Sequence, residues 1–403
     1  MQKVCVIGMG YIGLPTATLL ANSGYQVAGM DVNQKVVDII NQGKIHIVEP
    51  DLDVAVHKAV SSGALKAYTS PQPADIFILA VPTPFQSNKQ PDMTYVRSAA
   101  QSICDVLTEG NLVILESTSP IGATRNDVAD VIFAKRPELK GKLHIAHCPE
   151  RVLPGHIMRE LVENDRVVGG VDEASTTVAA TFYRNFVKGD VLETKADTAE
   201  MAKLTENAFR DVNIAFANEL SLICAKLGIN VWELIRLANR HPRVNILQPG
   251  PGVGGHCIAV DPWFIVAAAP EEAKLIRTAR EVNDGKPHWV VSKVLEAAEK
   301  STDTPVIGLL GMAYKPDVDD LRESPSVEIA AEIKRATNAE VIVCEPYVSE
   351  LEGFTLTSLN ETLERANILV MLTDHAPFKD ITLGQLAGKQ IIDTRGTFEK
   401  VNV

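Results

Sequence analysis

No stretch of the chain approaches the run of about 18 apolar residues that a membrane-spanning helix needs, so no spanning helix is expected. The N-terminal residues run directly into a strand and a glycine turn and lack the charged, apolar and small-residue succession of a cleavable leader, so we expect a cytoplasmic protein. Cysteine is sparse. The six (Cys5, Cys104, Cys148, Cys224, Cys257 and Cys344) are scattered, four of them inside apolar helix or strand patterns, which argues against a disulfide frame and predicts buried reduced thiols. Low-complexity tracts are missing. Basic residues are in deficit, 39 against 51 acidic, for a net charge of −12. That balance opposes a broad nucleic-acid surface, and any anionic ligand must be caught by local donors.

What is present is a globular composition, 46% hydrophobic and 22% charged, in a chain of 403 residues that is too long for one compact core. Residues 3–7, 14–23 and 26–30 read as strand, helix and strand, with Gly8-Met9-Gly10-Tyr11-Ile12-Gly13 as the first turn: a βαβ unit. Short apolar runs at 76–81, 112–116 and 143–146 alternate with helical stretches at 93–107 and 125–134, which predicts a mostly parallel sheet covered on both faces. From Asp197 the pattern turns to long helices. Asp197-Thr198-Ala199-Glu200 reads as an N-cap with a reciprocal acidic residue, and Asn230-Val231-Trp232-Glu233 repeats the device. Strand patterns return at 305–310, 339–344, 368–372 and 390–393, where Gly308 to Gly311 faintly echoes the opening glycine turn. The fold class is therefore α/β, with two Rossmann-like doubly wound domains joined by a central helical domain with a long helix, divided at 1–195, 196–300 and 301–403.

Gly8-x-Gly10-x-x-Gly13 follows a strand and opens a helix, and Asp31 stands 18 residues after Gly13 at the end of the next strand. There a carboxylate binds the hydroxyls of an adenosine ribose, while the glycines let a pyrophosphate approach the helix N-terminus. Asp31 would repel a 2′-phosphate, so NAD is favoured over NADP. A second constellation is the Gly- and Pro-rich run 249–255, followed by His256, Cys257 and Asp261. By itself it leaves open both a nucleophile and a loop thiol without a role. Lys203, Asn207 and Arg210 recur at helical spacing and share one face, while Ile214, Phe216, Leu220, Leu222 and Ile223 on the same helix predict that part of it is buried. A buried lysine beside a thiol would keep it ionised and hold an oxyanion or water, as acyl-thioester chemistry requires. Thr83 and Thr118 stand at strand ends, where ligands of parallel sheets bind. His144, His147 and Cys148 lack a fourth ligand and the usual spacing, so no metal is expected.

Together these residues resemble the UDP-glucose/GDP-mannose dehydrogenase family over essentially the whole chain, most specifically in the runs 199–207, Gly254-Gly255-His256-Cys257 with Asp261, and Asp319-Asp320-Leu321-Arg322-Glu323-Ser324. Within it, residues 209–264, including Arg240-His241-Pro242-Arg243-Val244, are most similar to the members that oxidise UDP-N-acetyl-D-mannosamine. The UDP-glucose members carry an aromatic residue and a lysine where Ile258 and Val260 stand here, which points away from UDP-glucose.

The resemblance implies an N-terminal NAD domain, a central helical domain that forms a homodimer, and a C-terminal domain for a UDP-sugar substrate. It implies that Tyr11, Ile12, Asp31, Thr83 and Thr118 contact NAD and that Arg322 serves cofactor or substrate phosphates. It gives the sugar nucleotide Arg151, Val152, Lys203, Asn207, Arg210, His241, Arg243, Gly254, Tyr314 and Lys315, and it makes Cys257, Lys203, Asn207, Asp261, Glu150 and Thr118 the catalytic group. The implied reaction is a four-electron oxidation of the sugar C6 alcohol with two NAD molecules and no metal. Competing readings are a 6-dehydrogenase of another UDP-N-acetylhexosamine or UDP-glucose, a two-electron hydroxyacid-type dehydrogenase, and a non-catalytic NAD-responsive regulator. No nucleic acid or membrane partner is expected.

Overall fold

The computed structural model describes residues 2–86, 88–255, 257–301 and 303–398. The chain divides into two compact units, Met1–Glu206 with Trp263–Pro270, and Asn207–Pro262 with Glu271–Val403.

The first unit is built on a sheet of β1 (Lys3–Ile7), β2 (Gln26–Met30), β3 (Leu65–Tyr68), β4 (Ile76–Leu79), β5 (Leu112–Leu115), β6 (His144–His147), β7 (Arg166–Gly170) and β8 (Val191–Lys195), in the order β3-β2-β1-β4-β5-β6-β7-β8. Strands β1 to β6 run parallel, β7 is antiparallel to β6, and β8 runs with β7. Side chains alternate between two buried layers: Val4, Val6, Ile76 and Ile78 enter one core, and Cys5, Ile7, Phe77 and Leu79 the other. This is the two-faced burial that near-continuous apolar strands demand. The order of strands reverses between β1 and β4, where doubly wound sheets bind ligands beyond their carboxyl ends. Strands β3, β7 and β8 were not anticipated from the pattern. Edge strand β8 exposes most of Val-Leu-Glu-Thr-Lys and so lacks the apolar signature.

The second unit holds a four-stranded parallel sheet of β9 (Val306–Leu310), β10 (Glu340–Cys344), β11 (Ile368–Met371) and β12 (Gln390–Asp393), in the order β10-β9-β11-β12 and again buried on both faces. Its first turn repeats that of the first unit. Gly8 (φ +91) and Gly311 (φ +86) both lie in the left-handed region. Each donates its N–H to the carbonyl at the end of the neighbouring parallel strand, Met30 at 2.8 Å and Cys344 at 3.0 Å. The faint sequence echo is thus a shared backbone turn.

The helix Ala196–Leu227 is the longest, 32 residues, and stops before Gly228 at φ +70. Its start corrects the expected capping box. The helix follows β8 directly, so Asp197 sits inside the first turn. Glu200 does not reach back but accepts from Gly122 N at 2.6 Å, Thr124 N at 2.7 Å and Thr124 Oγ1 at 2.6 Å, a stronger set of donors. Asn230 does cap its helix, Val231–Ala238, accepting from Trp232 N and Glu233 N.

Candidate active site

In the first unit the glycine turn and Asp31 come together. Asp31 Oδ2 accepts from Met9 N at 3.1 Å and Oδ1 from Asn33 N at 2.9 Å, which fixes the carboxylate at the lip of the turn. A Cβ on Gly13 would lie 1.8 Å from Gly8 O, so only glycine permits this approach, whereas a Cβ on Gly10 would meet nothing within 4 Å. The open space over Gly10, beside the N-terminus of the helix Gly13–Asn22, fits a pyrophosphate. Tyr11 is 42% exposed at the same turn and Ile12 is half-buried. Thr83 and Thr118, unrelated in the sequence, are joined: Thr83 Oγ1 donates to Thr118 O at 2.6 Å. Lys203 and Val152 are half-buried. Arg151 is committed to Glu206 at 2.6 Å and to Asp165 O at 3.2 Å.

Glu150 sits in a buried cluster that the sequence reading did not foresee. Its Oε1 accepts from Arg151 N at 2.6 Å and its Oε2 from Arg166 Nη1 at 2.7 Å, with Arg166 3% exposed. Glu116, at the end of β5, takes the Tyr183 hydroxyl on Oε1 at 2.7 Å and the Thr16 hydroxyl on Oε2 at 3.4 Å. Burial pushes its pKa up to about 7 against the pull of Arg166. A charged residue closing an apolar strand, in Glu116-Ser117-Thr118, was the signal available for it. His147 packs fully buried on β6, and desolvation pulls its pKa down to about 3, so the ring is neutral.

In the second unit the thiol is set out. Cys257 is exposed while the other five cysteines are buried, and burial pushes Cys148 up to about 12 and Cys5 and Cys344 to about 11, leaving those three inert. The Cys257 carbonyl accepts from Val260 N at 3.1 Å and Asp261 N at 2.9 Å, turning the loop into the helix Asp261–Ala268. Asp261 is 4% exposed and takes Asn207 Nδ2 on its Oδ2 at 2.5 Å. Gly254 and Gly255 lie against Tyr314, whose pKa is raised by burial first and then by Asp320. Lys315 Nζ lies 5.8 Å from the centre of the Tyr314 ring. Arg322 grips Asp320 with Nε at 2.8 Å and Nη2 at 2.6 Å. Arg210, His241 and Arg243 are exposed, the His241 ring accepting from Arg243 N at 3.3 Å. His256 lies outside the described residues.

Part of the long helix is buried as expected, but in its second half the buried positions are small or polar. Phe216 and Ile223 are 53% and 46% exposed, and Ile214, Leu220 and Leu222 half-buried, while the polar residues Asp211, Asn218 and Ser221 are buried. They face the helix Lys274–Glu299. Arg280 Nη1 bonds Asp211 at 2.5 Å, Asn283 Nδ2 donates to Asp211 Oδ1 at 2.8 Å, and Asn218 Nδ2 donates to Asn283 Oδ1 at 2.8 Å. Asn218 Oδ1 in turn accepts from Gly250 N at 2.9 Å, so this ladder anchors the loop that carries Cys257.

Three family models match the chain: the UDP-glucose/GDP-mannose dehydrogenase family NAD binding domain over residues 2–187, its central domain over 197–285 and its UDP binding domain over 308–400. An NDP-N-acetyl-D-galactosaminuronic acid dehydrogenase of Ralstonia nicotianae is 56% identical over 98% of this chain and 96% of its own. A UDP-N-acetyl-D-mannosamine dehydrogenase of Escherichia coli (strain K12) is 54% identical over 98% and 99%. A solved UDP-D-ManNAc dehydrogenase from Pyrococcus horikoshii superposes with a TM-score of 0.87 at 41% identity, covering 98% and 96% of the two chains. The chain therefore belongs to the UDP-glucose/GDP-mannose dehydrogenase family and is an NAD-dependent dehydrogenase with that family's NAD binding, central and UDP binding domains.

Proposed function

We propose that this enzyme oxidises C6 of UDP-N-acetyl-D-mannosamine to the carboxylate, through a covalent bond to Cys257. The observation that carries the reading is the single exposed thiol, on a loop whose next turn delivers Asp261 into the grip of Asn207 at 2.5 Å. NAD, when bound, accepts the hydride in each of two oxidations. A base or a Lys203-held water takes the alcohol proton in the first, and the Cys257 thiolate adds to the resulting aldehyde carbon, forming a thiohemiacetal. Loss of the second hydride and the hydroxyl proton leaves a thioester, whose C–S bond water cleaves to release the carboxylate and the thiol. The sum is RCH2OH + 2 NAD+ + H2O giving RCOO− + 2 NADH + 3 H+. Lys203 and Asn207 stabilise the oxyanions, Asp261 orients or activates the water, and Glu150 assists hydrolysis. Arg151, Val152, Arg210, His241, Arg243, Gly254, Tyr314 and Lys315 hold the nucleotide sugar, and Arg322 a phosphate.

The identity to the Ralstonia protein favours a second reading, in which the pocket takes an N-acetylgalactosamine-type sugar nucleotide. Both are tested by offering UDP-N-acetyl-mannosamine, -galactosamine and -glucosamine and UDP-glucose while NADH is counted. Two NADH per UDP-N-acetylmannosamine supports the first reading and two per galactosamine derivative the second. One NADH per sugar, as a two-electron dehydrogenase would give, sinks the thioester route.

We further propose the division into an NAD domain at 1–195, a central dimerisation domain at 196–300 and a UDP-sugar domain at 301–403, and a homodimer through the central domain. Phe209, Phe216 and Ile223 recur every seven residues, followed by Leu227, and are 67%, 53%, 46% and 63% exposed, an apolar stripe too regular to leave in water. Phe216→Asp is expected to convert a dimer into a monomer in sedimentation. A wild-type chain that sediments as a monomer at micromolar concentration refutes the dimer.

A further inference from the structure

The second unit contains a cavity of about 400 Å3 to which the reaction above assigns no role. Its walls include Ser221 and Cys224 from the long helix, Trp232 from the helix Val231–Ala238, Lys286 and Trp289 from the helix Lys274–Glu299, and Asp393 at the end of β12. Lys286 is 2% exposed. Its ammonium donates to Ser221 Oγ and lies 4.7 Å from the centre of the Trp289 ring. Among the described residues no carboxylate pairs with it. Asp393, on the same wall, is already spent on backbone donors: Oδ1 on Arg395 N and Gly396 N, Oδ2 on Phe398 N. Burial pushes the Asp393 pKa up, and Cys224 is the other titratable group on the walls.

Arg280, on the same helix as Lys286, is provided for differently. That buried cation has Asp211 at 2.5 Å, as buried charges normally require. Lys286 has only a hydroxyl and an aromatic face, beside an open space of the size that small ligands occupy. We propose that this cavity is a second ligand site, separate from the Cys257 loop chemistry, that takes a small oxyanion, a carboxylate or a phosphate, on Lys286 and Ser221. The guest would supply the missing negative charge, and the indoles of Trp232 and Trp289 would pack against its body. Burial alone draws the Lys286 pKa down to about 8, so binding should weaken as the ammonium loses its proton above that pH.

The chain has three tryptophans, and two of them line this cavity, so its intrinsic fluorescence reports occupancy. The test titrates the full-length protein near pH 7 with inorganic phosphate and, separately, with acetate, following tryptophan emission and Tm. A saturable change with either anion is expected, about thirtyfold weaker near pH 9.5, abolished in Lys286→Met and weakened in Ser221→Ala. The anion that responds identifies which source the site prefers. Lys286→Met removes an unpaired buried charge, so its Tm should match or exceed that of the wild type, separating lost binding from lost folding. No saturable response up to about 50 mM of either anion, or an equal response in Lys286→Met, overturns the proposal.

Discussion

Cys257→Ser is expected to lower steady-state turnover by about three to four orders of magnitude. A serine hydroxyl in the same loop is far less ionised than a thiol near neutral pH, so the aldehyde is not captured and the second oxidation stalls. The NADH yield should therefore fall from two per sugar to one or fewer. The substitution would leave the rest of the second unit intact, because Cys257 is exposed and its carbonyl, not its sulfur, receives the Val260 and Asp261 N–H groups. Binding of UDP to the variant, measured by calorimetry, should stay within a few-fold of wild type. If turnover stays within about tenfold of wild type with two NADH per sugar, the covalent route is wrong.

Arg280→Met should cost about 3 to 5 kcal/mol of stability, because it strands the Asp211 carboxylate in a buried position. Arg280 is 1% exposed and Asp211 fully buried, and the pKa of Asp211 is already raised by burial even with the guanidinium beside it. A stranded carboxylate folds more readily protonated, so the variant should recover stability as pH falls, and the wild type much less. Combining Arg280→Met with Asp211→Asn should recover most of the loss, since neither partner then carries an unmatched charge. Urea midpoints of the four proteins decide the matter: a double variant no better than Arg280→Met shows that the pair does not act as a unit. The Asn283 and Asn218 bonds connect this pair to Gly250, so the same variant should also change the rate at which iodoacetamide alkylates Cys257.

The legible parts of the molecule were those where one short segment dictates its own geometry. The glycine turn with Asp31, the apolar runs of β1 and β4 and the Asn230 cap could all be read because every determinant lies within a few residues or at a fixed offset. The unread parts depend on partners distant in the chain. Glu200 spends its carboxylate on Gly122 and Thr124 rather than on its own helix, and Glu116 meets Tyr183 only once β5 and the helix Glu173–Arg184 are packed. The inward face of the long helix was hidden for the same reason. Asp211, Asn218 and Ser221 pair with a second polar series, Arg280, Asn283 and Lys286, some sixty to seventy residues away. Polar periodicity on two helices of similar pitch was the available signal.

The two sheets share the turn at Gly8 and Gly311 but differ in what they can accept beside it. At the place corresponding to Asp31, the second sheet carries Glu345, whose Oε2 takes the N–H groups of Met312 at 2.6 Å and Ala313 at 3.1 Å and Nε2 of His375 at 2.9 Å. The His375 ring accepts from Asp317 N on Nδ1, which leaves Nε2 to donate, so Oε2 is filled from inside. Glu345 Oε1 accepts from Tyr347 N at 3.0 Å and the residue is 5% exposed, whereas Asp31 takes one N–H on each oxygen and is only half-buried. Glu345 thus rivets its own turn, and offering a ligand a carboxylate at that corner of the C-terminal sheet would require unfastening His375 first.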